Sequence, residues 1–186
     1  MGGPDPGSPG RKTMRKLILM LAGLAFLCQA ANAQTASAPE PTAPPEQRSA
    51  PDPRIKKVLE ARKIDYDITP TGNFKVTFNL KSGRSQMAFI SSATYRYMNL
   101  EIREIVSPAY RSAGPFTAEV ADRLLSDNND KKLGAWVMQK NKDGYYALFV
   151  TKIPADSSDE SFISALRLTL EAADEMEKEL TGKDEF

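Results

Sequence analysis

NFKVTFNLKSGRSQMAFIS, residues 73–91, is the stretch whose reading settles the fold class. From Asn73 to Leu80 the polarity alternates with period two. Phe74, Val76, Phe78 and Leu80 point one way, and Lys75, Thr77 and Asn79 point the other. Successive strand side chains leave opposite faces, so this pattern predicts a half-buried strand. Lys81-Ser82-Gly83-Arg84 is a turn, and Ser85 to Ser91 is a second strand carrying Met87 and Phe89. A connection this short joins antiparallel neighbours.

The same periodicities extend the pattern in both directions. On the N-terminal side, Asp52-Pro53 is a helix start, an N-cap side chain followed by proline where its missing N–H is not needed. Ile55, Val58, Leu59 and Arg62 then fall on one face of a short helix running to about Lys63. On the C-terminal side, Met98 to Val106 alternates Leu100 and Ile102 against Glu101 and Arg103. Gly114-Pro115 breaks that run, and Thr117 caps a helix with Val120, Leu124 and Leu125 inward. Ala135 to Lys140 and Tyr145 to Lys152 are strands joined by Asn141-Lys142-Asp143-Gly144, a hairpin signal. In the last helix Ser157 and Glu160 form a capping box, an apolar stripe of Phe162, Leu166, Leu170, Ala173 and Met176 follows, and Gly182 ends it. The order α-β-β-β-α-β-β-α argues an α+β domain with an antiparallel sheet flanked by helices.

Upstream of this domain the composition changes twice. Met14-Arg15-Lys16 is a basic start, Leu17 to Cys28 is apolar, and Ala31-Asn32-Ala33 is a small-x-small cleavage signature before Gln34. That order is a secretory signal peptide, with an apolar run too short to span a bilayer. Residues 1–13 read as an extension ahead of it. A lipobox wants a small residue before the cysteine, and Leu27 is large, so cleavage after Ala33 is expected and Cys28 leaves with the leader. Gln34 to Asp52 holds Pro39, Pro41, Pro44, Pro45 and Pro51 with no large apolar residue, the composition of an extended disordered linker. The expected organisation is therefore leader 1–33, linker 34–52, α+β domain 53–182 and a tail 183–186. The expected location is the bacterial periplasm or the exterior.

Charge and residue usage exclude several chemistries. Removing residues 1–33 takes away four of the 25 basic residues and one of the 24 acidic ones, leaving 21 against 23, or about −2. Such a chain has no basic field for nucleic acid. It contains no histidine, which removes the usual general base near neutral pH and the commonest metal ligand. No Ser-x-x-Lys, Gly-x-Ser-x-Gly or phosphate-binding glycine loop occurs in the mature part. Asp65 and Asp67 are alternate residues of a short strand candidate (Asp65 to Thr69). They would serve acid–base work only if burial separated their pKa values. Asp127-Asn128-Asn129-Asp130 is oxygen-rich but places Lys131 where a calcium ligand belongs, and reads as the end of a helix. No catalytic residue, metal or cofactor is expected. A small exported hydrolase using carboxylates is the rival reading, and an envelope-anchored structural protein is the third.

Aromatic residues are the better candidates for function. Tyr95, Tyr97 and Tyr110 flank the third strand, and Tyr145-Tyr146 with Phe149 lie on the fifth. Tyr145 and Tyr146 cannot both be core, because neighbours on a strand face opposite ways. Tyr97, Tyr145 and Tyr146 are thus the candidate binding surface, and Trp136 is expected to face the apolar last helix.

Arg123-Leu124-Leu125 with Asn128-Asn129, then Leu133-Gly134-Ala135-Trp136, resembles the middle of the YbjN-type domain family. The acidic, alanine-rich stretch Leu170-Glu171-Ala172-Ala173-Asp174-Glu175-Met176-Glu177 resembles that family's C-terminal helix. The resemblance covers roughly residues 53–181 and implies a fold similar to type III secretion chaperones, with helices flanking a twisted antiparallel sheet. The family is grouped with regulators of sensory transduction, carries no established catalytic residues, and implies a non-catalytic module for an unidentified protein or peptide partner. Chaperones of similar fold are dimeric, so the resemblance also makes a homodimer an expectation to test.

Overall fold

The structure, a computed structural model, describes residues 49–186 with Lys81 excepted; the leader and nearly all of the linker fall outside these residues. Ten elements follow one another: α1 (Pro53–Ala61), β1 (Asp67–Ile68), β2 (Phe74–Asn79), β3 (Ser85–Ile90), β4 (Tyr95–Tyr97), β5 (Leu100–Ser112), α2 (Ala118–Asp130), β6 (Ala135–Asn141), β7 (Gly144–Pro154) and α3 (Asp159–Thr181). The strands form one sheet in the order β1-β2-β3-β5-β7-β6, with β4 paired on β5. Every pairing is antiparallel. The α+β class is as expected. β1 falls within the short strand candidate at Asp65–Thr69, and β4 is added to the strands expected, because three residues are too few to show a period.

The local signals act as their chemistry requires. Asp52 caps α1 by accepting the Arg54 N–H, and Pro53 follows it. Thr117 caps α2 by accepting the Val120 N–H. The cap of α3 is Ser158, which accepts the Ser161 N–H, and not Ser157. Ser157 instead donates its N–H to the Pro154 carbonyl, closing a turn that holds it outside the helix. Gly182 takes φ +66 after α3 and returns its N–H to the Lys178 carbonyl, the left-handed ending that glycine adopts without a Cβ penalty.

All three helices cover one face of the sheet. Ile55 and Leu59 of α1 meet Phe74, Ile90, Ile105 and the Phe162–Leu166 part of α3. Leu124 of α2 meets Trp136, Phe149 and the Ala172–Met176 part of α3. Leu125, expected inward, is 66% exposed, since the four-residue step from Val120 to Leu124 already uses the covered face. Trp136 faces α3 as expected, and its indole N–H donates to Asp127 Oδ2 at 2.8 Å. The β3 residues turned to the helices are Gln86, Ala88 and Ile90, while Met87 and Phe89 look the other way and are half-buried.

β5 departs furthest from its polarity. Leu100 is 48% exposed, whereas Arg103 is 1% exposed among the core residues. The Arg103 guanidinium donates to Asp52 Oδ2 at 2.6 Å and to the Ser91 carbonyl at 2.7 Å. Asp52 also accepts from the Arg54 side chain, and its N–H donates to Ser92 Oγ. This network ties the start of α1 to the end of β3 and to β5. Further along, Pro108 has no N–H to give a ladder, and β3 pairs with β5 only at Phe89–Val106 and Ile90–Ile105. Beyond that point the Gln86 amide reaches the Pro108 carbonyl, and the Met87 N–H donates to the Phe186 carbonyl. The register between β5 and β7 shifts between Pro108 and Tyr110, so Ala109 is an extra residue and both it and Tyr110 reach the helix side.

Candidate functional site

With the helices on one face, the opposite face of the sheet is left uncovered. Its residues follow from the register. Phe89, Val106, Val150 and Ala135 form one cross-strand row, and Pro108, Leu148 and Val137 the next. An open depression of about 560 Å³ lies over these strands, lined by Val106, Ala135, Val137, Leu148 and Val150 with the polar Glu104, Gln139 and Lys152 at its borders. Lys152 Nζ and Glu104 Oε1 are 3.2 Å apart, a charge pair that bounds the apolar rows on one side.

At one margin of this face the sheet ends in β6. No strand pairs with its outer edge among the described residues; the Asn128 side chain engages the N–H and C=O of Trp136 at the start of the strand, and beyond it Val137 and Met138 are 45% and 54% exposed. An edge strand presents a row of unpaired N–H and C=O groups. Gln139, Lys140 and Asn141 make the far half of the strand polar. The other edge strand, β1, is two residues long and offers little to pair with.

Beyond the Glu104–Lys152 pair, the same face continues onto the β4–β5 hairpin. Tyr95 is opposite Ile102, Tyr97 opposite Leu100, and Arg96 opposite Glu101. The hairpin is therefore an amphipathic ribbon, with Tyr95, Tyr97, Leu100 and Ile102 on one side and Arg96 and Glu101 on the other. Glu101 is engaged: Arg54 donates to both of its carboxylate oxygens, and the Thr94 hydroxyl donates as well. These donors hold the Glu101 carboxyl down at about 2.

The three tyrosines read from the sequence are not brought together. Tyr97 sits at the β4–β5 hairpin, 64% exposed, opposite Leu100. Tyr145 and Tyr146 pair with Ser112 and Arg111, at the other end of β5. At about 3.3 Å per residue the two ends of that strand are roughly 40 Å apart. Tyr145 and Tyr146 are both half-buried. Tyr146 lies opposite Gln139 and so extends the uncovered face, with the Arg111 guanidinium 5.6 Å from its ring centre. Its hydroxyl donates to Asp143 Oδ2 at 2.7 Å, which raises the Tyr146 pKa and lowers that of Asp143. Tyr145 faces the helix side, with the Lys140 ammonium 5.9 Å from its ring centre.

The carboxylates offer structure more readily than chemistry. Asp65 and Asp67 are both exposed, so burial does not separate their environments. Asp127 accepts from Trp136 and is paired with Lys131 and Arg123; burial opposes its charge, and these partners nonetheless hold its pKa below the usual value. Asp174, Glu177 and Asp184 place one carboxylate oxygen each within 4.8 Å of one another. Arg84 donates into that group, to Asp174 at 2.5 Å and Glu177 at 3.2 Å, so the positive charge a metal would supply is already present.

Sequence reasoning missed the β6 edge, and of the β4–β5 hairpin it singled out only Tyr97 as a candidate contact. Val137-Met138 lies inside an ordinary strand pattern, and only the strand order makes it an edge. The run Tyr95-Arg96-Tyr97-Met98-Asn99-Leu100 carries a signal, apolar residues on both sides of an asparagine, but β4 is too short for its period to be read.

No family model matches this chain, and no curated protein matches it in sequence. Among solved structures it is similar to YbjN from E. coli, over 69% of this chain and 89% of that chain, with a TM-score of 0.49 and 11% identical residues. That protein bears the name of the family whose motifs the sequence resembles.

Proposed function

We propose that the folded unit is a non-catalytic module that binds an extended segment of a protein partner along β6 and the uncovered face beside it. The observation that carries this reading is that β6 ends the sheet with no further strand beside it among the described residues, with Val137 and Met138 exposed on its two faces. Strand addition supplies main-chain hydrogen bonds from the edge, and alternate side chains of the added strand would rest on the Val137, Leu148 and Val150 rows. The absence of histidine and the exposure of Asp65 and Asp67 agree with a binding role. The leader motif at 14–33 supports a place for this module in the bacterial envelope. Mass spectrometry of the mature chain tests that part, with Gln34 expected as the first residue; retention of Cys28 would argue instead for an anchored form.

The binding reading is tested with short peptides selected by phage display on the full chain. Selected peptides are expected to alternate apolar and polar residues and to slow amide exchange along β6. Val137→Lys puts a charge beside the edge and is expected to weaken them about tenfold or more, equivalent to ~1.4 kcal/mol or above. Selection of no such peptides, or equal binding by the variant, would sink the reading. A second copy of the chain could add its own β6 to the same edge. Light scattering then shows a dimer that Val137→Lys dissociates.

A further inference from the structure

We propose that the β4–β5 hairpin is a membrane-surface anchor, with Tyr95, Tyr97, Met98 and Leu100 entering the headgroup–acyl boundary of an anionic bilayer. These four residues are 61%, 64%, 83% and 48% exposed. A contiguous apolar cluster of this kind on a folded domain marks an interaction site more often than a scattered single residue does. None of them serves a core, since no buried cluster includes them. Met98 at the tip is held at φ +53, in the left-handed region that a side chain other than glycine seldom adopts. Such a conformation places the most exposed apolar side chain of the domain at the turn.

The choice of a lipid surface rests on shape and charge. An amphipathic ribbon with tyrosines on its apolar side and an arginine on the other has the make-up of an interfacial element: the aromatic rings sit at headgroup level and the guanidinium reaches the phosphates. The hairpin projects three residues of β4, about 10 Å at 3.3 Å per residue, comparable to the ~5–10 Å depth at which interfacial elements lie. No acidic residue occurs between Ser91 and Leu100, and Glu101 is neutralised by Arg54. Arg54 also connects the hairpin base to α1. Lys56, Lys57, Arg62 and Lys63 are exposed on or just after that helix, against two acids, Glu60 and Glu160, which pair with Lys56 and Arg62. The local charge is therefore positive although the mature chain is slightly negative. The start of α1 also lies beside the base of this hairpin, because Asp52 is bonded to Ser92 and Arg103.

The test uses the full chain with Cys28→Ser, so that an introduced cysteine is the only thiol. An environment-sensitive dye is attached at Met98→Cys, or at Lys142→Cys in the β6–β7 turn at the far end of the sheet. Vesicles are phosphatidylethanolamine with phosphatidylglycerol, or phosphatidylcholine alone. The dye at 98 is expected to brighten several-fold and shift to the blue on the anionic vesicles, and the dye at 142 to stay unchanged. Tyr97→Ser with Leu100→Ser is expected to abolish the response, whereas Val137→Lys leaves it intact, which separates this site from the β6 edge. A dye at 98 that stays in water on anionic vesicles overturns the proposal, even if the leader carries the chain onto them. So does an equal response at 98 and 142. In either case a groove on a protein partner becomes the occupant these tyrosines fit.

Discussion

Replacing Asp52 by alanine is expected to lower folding stability by about 3–5 kcal/mol, the usual cost of leaving one member of a buried ion pair alone. The charge left behind is Arg103, 1% exposed, with only the Ser91 carbonyl to accept from it. The loss includes the cap of α1, because Asp52 also accepts the Arg54 N–H at 2.8 Å. At about 3–4 °C per kcal/mol for a domain of this size, a fall in Tm of roughly 10–20 °C should follow in a thermal melt. Arg103→Met should cost clearly less, because Asp52 lies nearer the surface and keeps its Arg54 partner. Equal losses in the two variants would mean that the network is not what holds this corner.

The pH dependence of the same group has a definite sign. Burial works against the Asp52 charge, but hydrogen bonds from Arg54 and Arg103 outweigh it and hold the folded-state pKa well below the usual carboxylate value. A group depressed in this way stabilises the fold above its unfolded pKa of about 3.9, and the contribution disappears as pH falls toward the folded value. Stability should therefore decline on acidification below about pH 4. The Asp52→Ala chain should show a flatter acid limb.

Arg84→Met is expected to cost a similar ~3–5 kcal/mol at neutral pH, but with the opposite response to acid. Arg84 lies between Asp174 and Glu177, whose side chains are 12% and 0% exposed. Burial raises the Glu177 pKa, against the lowering effect of the Glu185 N–H and Arg84. Without the arginine two buried carboxylates face each other, and protonating Glu177 relieves both the repulsion and the desolvation. A raised folded-state pKa means stability that is present at low pH and lost as pH rises. The gap between this variant and the natural chain should therefore narrow from pH 7 toward pH 5 in denaturant titrations. Adding Glu177→Gln to Arg84→Met should recover part of the loss at pH 7. A gap independent of pH would show that packing by the arginine stem, not charge, sets the defect.

Much of the fold was legible because local chemistry forces it. Asp52-Pro53, Thr117 and Gly182 begin and end helices through hydrogen bonds that depend only on their immediate neighbours. Phe74 and Val76 declare a buried strand face by spacing alone, and Phe162, Leu166, Leu170, Ala173 and Met176 declare a helix stripe. The cap of α3 was misplaced by one residue because Ser157 and Ser158 carry the same hydroxyl, and only the Pro154 turn separates them.

The candidate site was less legible, since exposure depends on partners distant in sequence. In β5 the alternation of Leu100 and Ile102 with Glu101 and Arg103 gives no hint that the arginine is the buried member. Arg103 is buried because Asp52, fifty-one residues earlier, arrives with a carboxylate. Tyr97, Tyr145 and Tyr146 could be named as surface aromatics, but which of them share a surface depends on strand register, and the length of β5 keeps Tyr97 apart from the other two. By itself the sequence determined the element types, most of their ends, the α+β class and the absence of histidine chemistry, because each rests on residues a few positions apart. The tertiary structure alone decided that all three helices share one face, that β6 is an edge and that a tyrosine hairpin stands free. Those outcomes follow from strand order and long-range pairing, which no local period encodes.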